Sequence, residues 1–154
     1  MSNSVNWGVL GLGSIAHRVM KGIQDEPSAR VVAAGSRSAA KAEAFCKEYG
    51  IAQPHGSYQA LVDDPDVDLV YIALPNHLHA EWTMKAAAAG KHVLCEKPFA
   101  MNLAEAKKAV AFCRKRKVFF MEAFMYRCHP QMAKLKEIIH GGQIGEVRMI
   151  NASF

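Results

Sequence analysis

The sequence predicts an α/β protein built on a doubly wound parallel sheet. Three observations predict it. Short apolar runs alternate with longer amphipathic stretches at βαβ spacing. The apolar runs are continuous rather than alternating, as in strands buried on both faces. A glycine-rich turn, Gly11-Leu12-Gly13, joins the first apolar run to the first amphipathic one.

In order, Val5–Leu10 reads as a buried strand, and 14–24 as a helix with Ile15, Val19 and Ile23 four apart on one face. A second strand covers Arg30–Ser36 (with VVAAG), and a helix follows over Ala39–Tyr49, stopped by Gly50. Residues 53–56 suit a short edge strand, and Tyr58–Val62 a short helix capped by Ser57. Asp68–Leu74 (DLVYIAL) is the clearest buried strand; Pro75-Asn76 ends it. A helix over Leu78–Ala89 stops at Gly90, and His92–Glu96 forms a strand. Asn102 and Glu105 resemble a capping box opening a helix whose inner face carries Leu103, Ala106, Val110 and Cys113. Val118–Glu122 is a strand, Pro130–His140 a helix with Pro at its first position, and Glu146–Phe154 begins one more strand.

Composition narrows the function classes. The chain has 154 residues, 51% apolar and 21% charged, which is enough to bury one domain core and too apolar for disorder. Nineteen Lys and Arg against 14 Asp and Glu leave +5, compatible with an anionic ligand. The one dense basic run, Arg114–Lys117, stands at a helix end, where cations complement the dipole, so nucleic acid is not expected. Cys46, Cys95, Cys113 and Cys128 lie far apart and fit neither a zinc ribbon, a CxxC pair nor a disulfide framework. With no signal peptide at MSNSVNWGVLG and no apolar stretch of ~18 residues, the expectation is a cytoplasmic protein without a membrane span.

In such sheets ligands bind at the carboxyl ends of strands, so the residues just after each strand carry the chemistry. Gly11-Leu12-Gly13-Ser14-Ile15-Ala16 is G-x-G-x-x-A, a dinucleotide fingerprint in its required strand–turn–helix context. Gly11 allows the tight turn, Gly13 lets a pyrophosphate approach the backbone, and Ala16 lets helix and strand pack closely. The second strand ends in Ser36-Arg37, where an NAD enzyme usually has an acid for the ribose 2′-hydroxyl. Ser36, Arg37 and Lys41 suit a 2′-phosphate instead, which favours NADP over NAD.

Pro75 and Asn76 break the fourth strand near the cofactor, and His79 could reach the nicotinamide side; a helix cap or a surface place is its plainer use. His77 and His79 have no third partner at metal-ligand spacing, so no metal is expected. Cys95-Glu96-Lys97-Pro98 follows the fifth strand. An ammonium there could hydrogen-bond a substrate oxygen that gains charge as hydride arrives, and relay a proton. Glu96 could orient or tune that lysine, and Pro98 could fix the turn through a cis bond. An exposed loop salt bridge is the plainer reading of the tripeptide alone.

G-x-G-x-x-A, S-R, P-N-H-L-H and E-K-P, in this order and spacing, resemble the glucose–fructose oxidoreductase / inositol dehydrogenase (Gfo/Idh/MocA) family. The segment 121–130, MEAFMYRCHP, looks most like its branch of NADP-dependent sugar and dihydrodiol dehydrogenases. The resemblance implies a Rossmann domain over 1–125, then a linker helix and the first strand of an incomplete C-terminal α+β sheet domain over 126–154. It implies that Lys97 is the catalytic lysine. Gly11, Gly13, Ser14 and Ile15 would meet the pyrophosphate, and Ser36, Arg37 and Lys41 the 2′-phosphate. Leu74, Pro75, Asn76 and His79 would line the cofactor, Glu96 would sit near the nicotinamide, and Arg127 joins the cofactor contacts. Glu122 matches the family pattern without an assigned role. Members run to roughly twice this length, so the expectation is an enzyme's nucleotide-binding half, inactive alone. The whole enzyme would act on a sugar or cyclic diol as a homo-oligomer. The alternative is a nucleotide-binding module without catalysis of its own.

Overall fold

A computed structural model describes residues 4–153. The chain divides into two compact units, the first closing at Ala123 and the second running from Phe124. The first holds a six-stranded, wholly parallel sheet in the order β3-β2-β1-β4-β5-β6. Its strands are β1 (Val5–Leu10), β2 (Ala29–Gly35), β3 (Gln53–His55), β4 (Leu69–Ile72), β5 (His92–Cys95) and β6 (Phe120–Glu122). Its helices are α1 (Ser14–Gln24), α2 (Ala39–Tyr49), α3 (Tyr58–Val62), α4 (His79–Ala88) and α5 (Leu103–Arg116). The second unit holds α6 (Pro130–His140), with Pro130 in its first turn and His129 Nδ1 accepting from the Gln131 N–H.

Alternation along each strand builds two cores. Val9 and Tyr71 face one way, against Ala16, Met20, Ala42 and Phe45 of α1 and α2. Leu10, Val70, Ile72 and Val93 face the other, against Leu61, Trp82, Ala86 and Ala109 of α3, α4 and α5. Both faces are therefore covered, and the sheet's polar backbone is spent on the ladder. Long-range staples close the connections. Lys91 donates to the carbonyls of Asp64 (2.6 Å) and Val67 (2.7 Å). Arg116, from the basic run, donates to Ala87 O (3.3 Å) and Ala88 O (2.6 Å) at the end of α4, so part of that run caps a neighbouring helix.

Several expectations shift. The fourth strand spans only Leu69–Ile72; Ala73 keeps one bond to β1, its N–H donating to the Leu10 carbonyl (2.8 Å), and the chain leaves the ladder at Leu74 while staying buried. A 3-10 turn, Asn76–Leu78, precedes α4, so that helix starts at His79. Leu103 is exposed, not inward: 3.6 residues per turn sets it roughly a quarter-turn from the buried Cys113 and a third of a turn from the buried Ala109. Asn102 caps α5 through the Glu105 N–H (2.9 Å), while Glu105 reaches back to the Met101 N–H (3.1 Å). No strand forms over residues 146–153, because a strand needs a neighbour to take its N–H and C=O groups and none of the described strands pairs there. Phe154, the last residue of that expected strand, lies outside the described residues. All four cysteines are free. Among the described residues no helix is long and apolar enough to cross a membrane, and no His/Cys/Asp/Glu cluster could hold a metal.

A buried carboxylate ties β3 to the α3–β4 connection. Asp64 is 8% exposed, and its Oδ2 meets His55 Nε2 at 2.8 Å. Burial pushes its carboxyl up, but the His55 hydrogen bond, the Asp66 N–H (2.9 Å) and the charges of His55 and Lys91 hold it below its ordinary value. A lowered folded-state value means stability present above the unfolded carboxyl's range and lost as pH falls through the folded value. The urea midpoint of the chain is therefore expected to drop as pH is lowered from ~5 to ~3, and Asp64→Asn to flatten part of that drop. At neutral pH, Asp64→Asn should cost about 1.5–3 kcal/mol, the range for hydrogen bonds to a charged group. An unchanged midpoint at neutral pH would show the contact to be idle.

Candidate cofactor site

The strand order reverses between β1 and β4, and a crevice opens there at the carboxyl ends. A cavity of about 720 Å³ occupies it. Its near wall is the fingerprint turn: Gly11, Leu12, Gly13, Ser14 and Ile15. Gly11 has φ +92°, and a Cβ there would lie 2.7 Å from the Ala73 carbonyl oxygen, so the turn passes directly against the end of β4. Gly13 precedes α1 with φ −90°, and a Cβ there would meet nothing within 4 Å: the space beside it is open to a ligand. The first N–H groups of α1 have no partner within the helix and carry its positive dipole end. Ala16 is 1% exposed, consistent with close helix–strand packing.

The far wall comes from β2 and α2: Ser36, Arg37, Ser38 and Lys41. Ser36 Oγ accepts from the Ser38 N–H (3.3 Å), which leaves its own O–H to donate outward. Ser38 Oγ in turn accepts from the Lys41 N–H (3.3 Å) and caps α2. The side chains of Arg37 and Lys41 are exposed, and no carboxylate lines the cavity. Tyr58, Ala73, Leu74 and Pro75 complete the lining. Tyr58 stands edge-on to Trp82 (5.2 Å) and was not legible as a site residue. Only the pairing of β2 with β3, which brings the α3 turn alongside Ser36, could have indicated it.

The remaining expected residues stand outside this lining. Asn76 is exposed in the 3-10 turn that follows Pro75. His79 is 1% exposed, and its two ring nitrogens meet the carbonyl oxygens of Pro98 (2.8 Å) and Leu74 (2.7 Å). Its side chain is thus used inside the fold and presents no surface to a ligand. Glu96 takes the Tyr71 hydroxyl on Oε1 (2.7 Å), and burial first, then this bond and the carboxylate's charge, push the Tyr71 phenol far up. Its Oε2 accepts from the backbone N–H of Lys97 at 3.3 Å, not from the ammonium. Glu96 therefore steadies the loop's backbone rather than pairing with the lysine's charge. Lys97 is exposed just past β5, and the Lys97–Pro98 peptide is cis. Cys95, directly before it, is fully buried, and burial pushes its thiol up to about 12, which makes it inert. Arg127 lies in the second unit, exposed in the 3-10 turn Met125–Cys128.

Comparison with known proteins fits this geometry. Residues 5–124 match the family described as an oxidoreductase family with an NAD-binding Rossmann fold, GFO_IDH_MocA. A trans-1,2-dihydrobenzene-1,2-diol dehydrogenase of Mus musculus is 38% identical over 98% of this chain and 46% of its own length. An NADP⁺-dependent D-xylose 1-dehydrogenase of Hypocrea jecorina is 38% identical over 94% of this chain and 40% of its own. A crystal structure of a 3-ketoreductase from Actinomadura kijaniata with NADP and TDP-benzene superposes with a TM-score of 0.87 at 39% identity, covering 95% of this chain and 45% of that one. The chain spans somewhat under half the length of the curated relatives it matches.

Proposed function

This chain belongs to the Gfo/Idh/MocA oxidoreductase family, and from that premise we propose that it is the cofactor-binding part of an NADP-dependent enzyme. The whole enzyme moves a hydride between nicotinamide and a CH–OH group of a sugar or cyclic diol. One observation carries the cofactor assignment: Ser36, Arg37 and Lys41 gather at one end of a cavity that no carboxylate lines. An acid there would hold a ribose 2′-hydroxyl and repel a 2′-phosphate. A planar guanidinium and an ammonium attract the phosphate.

The residues present fit the group. The open space at Gly13 and the start of α1 accept a pyrophosphate, and Arg37, Ser36 and Lys41 accept the extra phosphate. When bound, the cofactor supplies the hydride donor or acceptor. Lys97 stands past β5, with its ammonium exposed and free to donate to the substrate oxygen. There it stabilises the charge on that oxygen and passes a proton to or from it. The names of relatives that act on a dihydrodiol and on xylose, with a 3-ketoreductase beside them, support a polyhydroxylated or diol substrate.

Calorimetric titration of the chain with each cofactor tests the reading. NADPH is expected to bind about tenfold or more tighter than NADH, since a charge-assisted contact contributes roughly 1.5–3 kcal/mol. Arg37→Ala should erase most of that difference and leave NADH binding nearly unchanged. Equal affinities, or tighter NADH, would sink the assignment.

A further inference from the structure

The segment Lys97–Phe99 is held by three contacts from residues scattered along the chain. Glu96 Oε2 accepts the Lys97 N–H (3.3 Å), and its other oxygen is anchored by the Tyr71 hydroxyl of β4 (2.7 Å). His79, at the start of α4, places Nδ1 2.8 Å from the Pro98 carbonyl oxygen. Glu122, at the end of β6, accepts the Phe99 N–H on Oε1 (2.8 Å). All three grip the backbone; none of these contacts is made by the ammonium. His79 reaches further, because its Nε2 lies 2.7 Å from the carbonyl oxygen of Leu74, a residue of the cavity wall.

We propose that Glu122 and His79 are positioning residues for Lys97, Glu122 fixing the segment from the β6 side and His79 tying it to the cofactor wall. The inference rests on the reading of Lys97 as the catalytic group. A lysine stem is long and flexible, so the ammonium's place depends on the backbone that carries it. A backbone N–H bound to a carboxylate is a charge-assisted contact, stronger than a neutral one. The Glu122 contact is partly buried, which shields it from water. Glu122 lines no part of the cavity, so its effect should fall on turnover rather than on cofactor affinity. His79 touches both walls, so its effect should fall on both.

The test uses the complete enzyme, the cofactor half joined to its substrate domain. Misplacement of a reacting group by ~1 Å costs up to about 100-fold. Glu122→Ala should therefore lower kcat by roughly tenfold to 100-fold and leave the Kd for NADPH within about twofold. Glu122→Gln keeps an oxygen at the same reach and should recover most of the loss. Glu122→Asp keeps the charge but withdraws the oxygen, and should recover less. The Gln and Asp variants decide the matter even if Glu122→Ala does not fold, because a role through charge alone ranks them the other way. His79→Gln should lower kcat and weaken NADPH binding together. In a Lys97→Ala background, Glu122→Ala should slow the enzyme no further, since residues acting through one group are non-additive. Losses that multiply in the double variant, or normal turnover of Glu122→Ala beside a crippled Lys97→Ala, overturn the inference. A normal Lys97→Ala enzyme overturns instead the functional reading beneath it.

Discussion

Lys97→Ala is expected to lower turnover of the complete enzyme by at least ~100-fold while cofactor affinity changes little. The two halves of that expectation have different sources. Loss of turnover follows from removing the one ammonium that the loop after β5 carries past the sheet's carboxyl edge. Unchanged affinity follows from the cavity wall, which is built from residues between Gly11 and Pro75 and does not include Lys97. Steady-state kinetics with parallel cofactor titration separate the two. Near-normal turnover would make Lys97 an exposed loop residue. A large loss of NADPH affinity would move it from substrate to cofactor.

Gly11→Ala should unfold the site, whereas Gly13→Ala should leave the fold intact and spoil binding. At Gly11 an alanine must hold φ +92° and place its Cβ 2.7 Å from the Ala73 carbonyl oxygen, 2.9 Å from its carbon and 2.8 Å from Leu74 Cδ2. The backbone conformation alone costs about 1–3 kcal/mol. Two of the clashing atoms are backbone and cannot swing away, so relief requires separating β1 from β4. Thermal denaturation of the chain should show a clear drop in midpoint, and NADPH binding should vanish. At Gly13, φ is −90° and nothing lies within 4 Å, so stability should hold within about 0.5 kcal/mol. The added methyl enters the space that the proposed function assigns to the pyrophosphate, and overpacking of roughly 1–3 kcal/mol implies affinity weaker by about tenfold or more. Equal effects of the two substitutions on stability would contradict the division of labour in the turn.

What was legible in the sequence was whatever is local. The bounds of β1, α1, α2, α3 and α6 follow from periodicity, caps and stop signals that act within a few residues. The fingerprint turn and the cationic end of β2 are legible for the same reason. The end of β4 was not: Ala73 and Leu74 are as apolar as the strand before them, but they wall a cavity as the chain leaves the ladder. Helix spacing could not tell Leu103 from its inward neighbours at the edge of the stripe. Tyr58, the inward use of His79 and the grip of Glu122 on Phe99 were illegible because each depends on contacts between residues far apart in sequence. The strand expected over 146–154 does not form over the described residues 146–153, because apolar residues alone do not make a strand; a partner does.

The cavity wall lies wholly within residues 11–75, while the lysine and the residues that hold its loop follow later in the chain. On the proposed function, coenzyme choice and reaction chemistry are therefore carried by separate stretches of one gene. A lineage, or an engineer, can exchange the turn after β2 for one that prefers the other coenzyme without rewriting the EKP loop. The seam between the two stretches is the bond from His79 to the Leu74 carbonyl. Recombinants that keep that bond should retain both traits, and a junction that breaks it should yield chimeras that lose cofactor affinity and turnover together.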